Sequence, residues 1–110
     1  MEEFVKGDVI VVPFPFSDLS SSKKRPALVI AGLDCEDIIL CQITSAERND
    51  QYTIFLNKND FKKGQLHLQS GIRPNRIFTA EKSIIVYKIG TLKSSKIKDV
   101  EEKIVAIFTK

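Results

Sequence analysis

The stretch RPALVIAGLDCEDIILCQITS, Arg25 to Ser45, decides the fold. Two runs rich in β-branched and apolar residues, 26–33 and 37–45, flank the short polar break Asp34-Cys35-Glu36-Asp37. Runs of that length and composition read as strands, and an aspartate-rich break between them reads as a hairpin turn. The first run is apolar without alternation, which predicts a strand covered on both faces. In an antiparallel hairpin, setting position 25 opposite position 44 puts the centre between residues 34 and 35, within the polar break. Arg25 and Thr44-Ser45 then meet at the open end of the pair.

Outward from this hairpin the chain is mostly short strands. DVIVVPF (8–14) is a strand whose end is weakened by Pro13 and Pro15, YTIFL (52–56) alternates, and SIIVYKIGTL (83–92) is a long apolar run. NKNDFKKG (57–64) reads as a turn closed by Gly64. Residues 65–79 alternate weakly, break at Ser70-Gly71 and resume near Ile72. Ile97, Val100, Ile104 and Ile107 recur at helical spacing, so a helix is predicted from Ser94 to about Phe108, with Ser94 or Ser95 as its N-cap. Five to seven short strands and one C-terminal helix define a mainly β chain, a small and strongly bent antiparallel barrel. With neither an internal repeat nor a linker, residues 1–110 are expected to form one domain.

Composition narrows the function. The longest apolar run falls well short of the roughly 20 residues of a membrane span, and the acidic start MEEFVKGD has no signal-peptide character. A cytoplasmic protein with reduced cysteines is the expectation, Cys41 packing as a small hydrophobe. Two cysteines and a single histidine do not make a four-ligand zinc site, and no cofactor motif is present. The net charge of +3 is unevenly spread: residues 1–50 carry −4, residues 51–98 carry +8. Such asymmetry suggests a face for an anionic partner, nucleic acid being the commonest.

Catalytic candidates are few. His67, flanked by Leu66 and Leu68 in an alternating stretch, reads as solvent-facing rather than as a catalyst. What remains is the cluster at the hairpin mouth. A guanidinium can grip two phosphate oxygens while adjacent hydroxyls donate to a third, so Arg25, Thr44 and Ser45 would suit a phosphate; plain surface hydroxyls ending a strand are the other reading.

Taken with its flanks, this region resembles the MazF/PemK family of toxin-like endoribonucleases from toxin–antitoxin modules. The resemblance rests on Gly7-Asp8 before the first strand, Pro13 to Leu19 (PFPFSDL), Arg25-Pro26 opening the second strand, Ile43-Thr44-Ser45 closing the third, and RIFTAEKSIIVYKIGTL (76–92) before the helix. It implies an SH3-like barrel, usually a homodimer, that cleaves single-stranded RNA without metal or cofactor. In such an enzyme the substrate's 2′-hydroxyl attacks, leaving a 2′,3′-cyclic phosphate and a 5′-hydroxyl. By position, the family's catalytic residues fall on Arg25 and Thr44, with Ser45 in support. Arg25 suits charge stabilisation and leaving-group protonation, Thr44 suits orienting the phosphate, and the base is unassigned, since a guanidinium is a poor one.

Single-stranded RNA is held by stacking and by cations, for which Phe14, Phe16, Lys23, Lys24, Tyr52, Arg73 and Arg76 are candidates, although Phe14 could equally be core and Arg76 could pair with Glu81. The resemblance also implies an acidic antitoxin, largely disordered when free, that covers the basic face. The sequence departs from the family in its Ser20-Ser21-Ser22-Lys23-Lys24 loop and at Asn75-Arg76, where relatives often carry Asp-Lys. Base preference therefore does not transfer. The competing readings are a non-catalytic binding module, such as a CcdB-type gyrase binder, and a nucleic-acid-binding barrel without activity. Retention of Arg25 and Thr44, and the absence of an aromatic-rich C-terminal tail, favour the ribonuclease.

Overall fold

The structure, a computed structural model, describes residues 3–14, 23–45 and 50–110. Seven strands form one antiparallel sheet: β1 (Asp8–Phe14), β2 (Lys23–Gly32), β3 (Asp37–Thr44), β4 (Ile54–Leu56), β5 (Phe61–Gly64), β6 (Ser70–Glu81) and β7 (Tyr87–Leu92). Their order across the sheet is β4-β6-β3-β2-β1-β7-β5. The two outermost strands follow each other in sequence, joined by only residues 57–60, which include a 3-10 turn at Lys58–Asp60. A link that short cannot span an open seven-stranded sheet, so the sheet must curl until its edges approach. The result is a half-barrel with one C-terminal helix, α1 (Ser94–Phe108).

The predicted hairpin is present. Ala27 lies opposite Gln42 and Leu28 opposite Cys41, the register expected from the turn, with a bulge near Ala31 that bends the pair. The unbroken apolar run of β2 is explained by its two covered faces. Leu28 joins Val9, Cys41, Ile43, Ile72 and Val100 on one side, while Ala27 and Val29 join Ile10, Val12, Ile38 and Leu40 on the other. The helix seals the first cluster with Ile97, Val100 and Ile104, three of the four residues in its predicted stripe. Phe4, Phe78, Ala80 and Ile85 pack against the second.

Three expectations are corrected. The segment 57–64 is not simply a turn, because β5 within it pairs with β7 through Phe61 opposite Leu92. The stretch near 83–92 begins as a 3-10 turn at Lys82–Ile84, and the strand starts only at Tyr87. The helix cap is Lys93 rather than Ser94 or Ser95. Tertiary contacts hold that start: the Lys93 amide donates to the Asp60 carbonyl (2.8 Å) and Lys96 pairs with the Asp60 carboxylate (3.3 Å). The Lys93 carbonyl accepts the amides of Lys96 and Ile97, so the first helical turn closes onto Lys93 with no side-chain cap.

The Gly7-Asp8 pair owes its place to packing. Gly7 has φ +98°, a conformation L side chains rarely adopt, and a Cβ there would press on Ile97 of the helix. Asp8 is buried, and its carboxylate accepts the Val5 amide (2.9 Å) and the Thr91 hydroxyl (3.0 Å) while pairing with Lys88 (3.6 Å). One carboxylate thus ties the N-terminal segment, β1 and β7 together.

Candidate active site

The register of four strands brings the hairpin mouth into a single row. Val12 of β1 lies opposite Arg25 of β2, and Thr44 of β3 lies opposite Gly71 of β6. Continuing the β2–β3 register two residues beyond Ala27–Gln42 sets Arg25 against Thr44. Beside this row is a groove of about 760 Å³, lined among others by Lys24, Arg25, Ser45, His67, Tyr87 and Lys88. Among the described residues its walls carry three cationic side chains and no carboxylate. Lys88 is steadied by Asp8, whereas Arg25 and Lys24 have no ion-pair partner among the described residues. A cationic concave surface on a rigid sheet is suited to an anion, and a phosphodiester fits its size and polarity.

Thr44 is buried, between Ile43 and Ser45, which both line the groove. Ser45 is exposed at the point where this groove adjoins a second hollow of about 370 Å³, bordered by Thr53, Phe55, Leu68 and Gln69. Phe55 is 54% exposed there, an open aromatic face. Lys24 stands beside Arg25 in the groove wall, Lys23 enters as the first residue of β2, and Phe16 lies outside the described residues, as does the side chain of Phe14.

Three of the proposed contacts lie away from the groove lining. Tyr52 sits by the helix end, where Lys110 donates to its hydroxyl (2.6 Å), an interaction that lowers the phenol's pKa. Arg76 is exposed on β6 but does not line the groove. The Arg73 side chain is only 7% exposed and pairs with Asp50 at 3.4 Å. Asp50 in turn accepts the hydroxyl of Thr53 (2.8 Å), then the amides of Thr53 (2.8 Å) and Tyr52 (3.0 Å), which keep its carboxyl below the usual carboxylate range. The arginine therefore anchors the approach to β4. An arginine in a sequence of mixed polarity carries no signal that distinguishes this role from an exposed one.

Sequence reasoning set His67 aside as solvent-facing and missed Tyr87 and Lys88 of the groove and Phe55 beside it. Lys88 and Tyr87 belong to a run read as a plain strand, and His67 belongs to the stretch between β5 and β6. Their convergence with Arg25 depends on β7 pairing with β1, Tyr87 opposite Val11. No local pattern announces a pairing between residues so far apart.

The cysteines behave as expected from their settings. Cys35 is exposed and Cys41 buried, both as free thiols. Cys41 donates to the Arg73 carbonyl (2.8 Å), and burial pushes its thiol from the ordinary 9.0 to about 12. The folded state thus keeps a proton that the unfolded chain releases above about pH 9. The stability this thiol contributes is present below that pH and is lost as pH rises toward 12, by roughly 1 kcal/mol per unit. Thiol titration at pH 8 should label Cys35 alone until denaturant is added. Unfolding midpoints between pH 9 and 11 should fall more steeply for the wild type than for Cys41→Ala, and parallel curves would refute the buried-thiol account.

Fold and groove together define a class: small curled antiparallel barrels that present a cationic hollow at one end of the sheet. The sequence matches, over residues 5–108, the family described as PemK-like, MazF-like toxin of type II toxin-antitoxin system, and the chain belongs to that family. Among solved structures, it is similar to MazF from Deinococcus radiodurans, with a TM-score of 0.77, 14% identity and full coverage of both chains. It is likewise similar to a mycobacterial endoribonuclease in complex with its cognate antitoxin (TM-score 0.78, 12% identity, 97% of this chain and 96% of that one). The Mycobacterium tuberculosis toxin MazF-mt6 gives a TM-score of 0.73 at 16% identity, over 93% of this chain and 96% of that one. A search of curated proteins finds no match.

Proposed function

We propose that the protein is a toxin-like endoribonuclease that cuts single-stranded RNA at specific sequences without a metal ion, through the substrate's own 2′-hydroxyl. The observation that carries this reading is the groove with Lys24, Arg25 and Lys88 on its walls and no carboxylate among its described residues. Such a surface attracts the phosphate backbone and repels nothing on it. In the pentacoordinate transition state the phosphoryl oxygens gain charge, and Arg25 stabilises that charge and protonates the departing 5′-oxygen. Thr44, opposite Arg25, orients the phosphate with help from Ser45, and Lys23 and Lys24 hold the neighbouring backbone. Phe55 is added to the stacking candidates Phe16, Tyr52 and Arg76, because its open face borders the adjoining hollow.

As a toxin of this family the chain acts in the cytoplasm as one domain, pairs as a homodimer, and is silenced by an acidic antitoxin. The mycobacterial relative whose structure contains its cognate antitoxin supports that partner. The test is cleavage of a long single-stranded RNA in EDTA with the product ends mapped. Cuts at a short motif, ending in 2′,3′-cyclic phosphate and 5′-hydroxyl, are expected. Intact RNA across varied sequences would overturn the reading in favour of a protein-binding toxin, and capture of gyrase would then identify the CcdB-type alternative.

A further inference from the structure

We propose that His67 is the general base of the cleavage reaction, an inference that rests on the ribonuclease reading above. The 2′-hydroxyl must lose its proton as it attacks phosphorus, and the groove offers few acceptors. The other polar groups of the lining are the guanidinium of Arg25, the ammonium groups of Lys24 and Lys88 and the phenol of Tyr87, which serve as donors, together with the weakly basic Ser45 and Gln65. No carboxylate lines the groove among the described residues. His67 is the chain's only histidine, and its exposed side chain lies on the groove wall that Arg25 also lines. An imidazole is the one lining group of this set whose neutral form accepts a proton in the physiological range.

Leu66 explains why the imidazole stays at the wall. It is partly buried against the main core cluster, which pins the segment between β5 and β6 and leaves the next residue facing outward. Arg25 reaches the groove from β2, and His67 from the segment after β5.

The step balances without a co-reactant. The 2′-oxygen forms a bond to phosphorus while its proton passes to the His67 imidazole, and the P–O5′ bond breaks as the departing oxygen takes a proton from Arg25, which regains one from solvent. The products are a 2′,3′-cyclic phosphate and a 5′-hydroxyl, with the imidazolium later returning its proton to solvent.

The experiment measures single-turnover cleavage of an oligoribonucleotide across pH 5–9 for the wild type, His67→Gln and His67→Ala. The other charged or titratable groups that line the groove with the imidazole are Lys24 and Arg25 from β2 and Tyr87 and Lys88 from β7. A wild-type rate that climbs with pH through the region where imidazoles titrate is expected to lose that limb in His67→Gln. The rate should fall by about 10²–10⁴-fold, with free imidazole partly restoring His67→Ala. An unchanged limb, or a rate within threefold of wild type, would overturn the assignment while leaving the ribonuclease intact. A wild type that cuts no RNA at any pH would remove both. His67 is exposed, so unfolding midpoints should match and separate a catalytic loss from a folding one.

Discussion

Arg25→Ala should lose at least about a thousandfold in RNA cleavage, near 4 kcal/mol of transition-state stabilisation, with the fold intact. The size follows from the charge. A guanidinium about 4 Å from a phosphoryl oxygen, at the effective dielectric of a protein surface, contributes on the order of 4 kcal/mol. Little in the groove can replace it, since Lys24 and Lys88 each present a single ammonium rather than a planar fork. Arg25→Lys tests the fork as distinct from the charge and should recover only part of the loss. The side chain is only partly buried and has no ion-pair partner among the described residues, so the unfolding midpoint should move by less than about 4 °C. Growth arrest on expression is the second measure. An Arg25→Ala protein that is folded, inactive on RNA and still toxic would sink the ribonuclease as the source of toxicity.

The largest stability effect is expected where β5 meets β7. Gly64 lies opposite Gly90 in the ladder, and the two backbones approach so closely that neither tolerates a side chain. A Cβ on Gly90 would overlap the Lys63 carbonyl oxygen and meet the Gly64 Cα at 3.0 Å. One on Gly64 would overlap the Ile89 carbonyl oxygen, and the backbone there has φ +77°. Since the obstructing atoms are main chain, relief requires the strands to part. Gly90→Val should therefore cost about 3 kcal/mol or more, a drop of roughly 10–20 °C in unfolding midpoint. The damage should extend to function, because β5 leads directly into residues 65–68 of the groove. Gly32→Ala is the control: a Cβ there finds only the Phe4 carbonyl oxygen at 3.8 Å, so little change is expected. Equal midpoints for Gly90→Val and Gly32→Ala would refute the close approach.

Local pattern carried the hairpin and the helix. The register of β2 on β3 was legible because the side-chain period of a strand is two and the polar break fixes the centre. The helical stripe was legible because Ile97, Val100 and Ile104 repeat at the spacing that puts them on one face, and they do cover the core. β5 was hidden, since Phe61-Lys62-Lys63-Gly64 looks like turn composition and its strand character comes from pairing with β7. The helix cap was misassigned for a similar reason, the start being held by Asp60 from a turn more than 30 residues away.

The site divides along the same line. The sequence alone determined that Arg25 and Thr44 share one end of a hairpin, because two adjacent strands and a short turn are local and their geometry is set by chain stiffness and hydrophobic period. The structure decided what surrounds that end. Curling the sheet carried β7 and the segment after β5 to the same groove, supplying Lys88, Tyr87 and His67, while it buried the Arg73 side chain in a partly buried pair with Asp50. Which side chains meet across strands distant in sequence depends on sheet order, bulges and closure. Those are collective properties of packing two apolar clusters on the faces of one bent sheet, and no single stretch of residues encodes them.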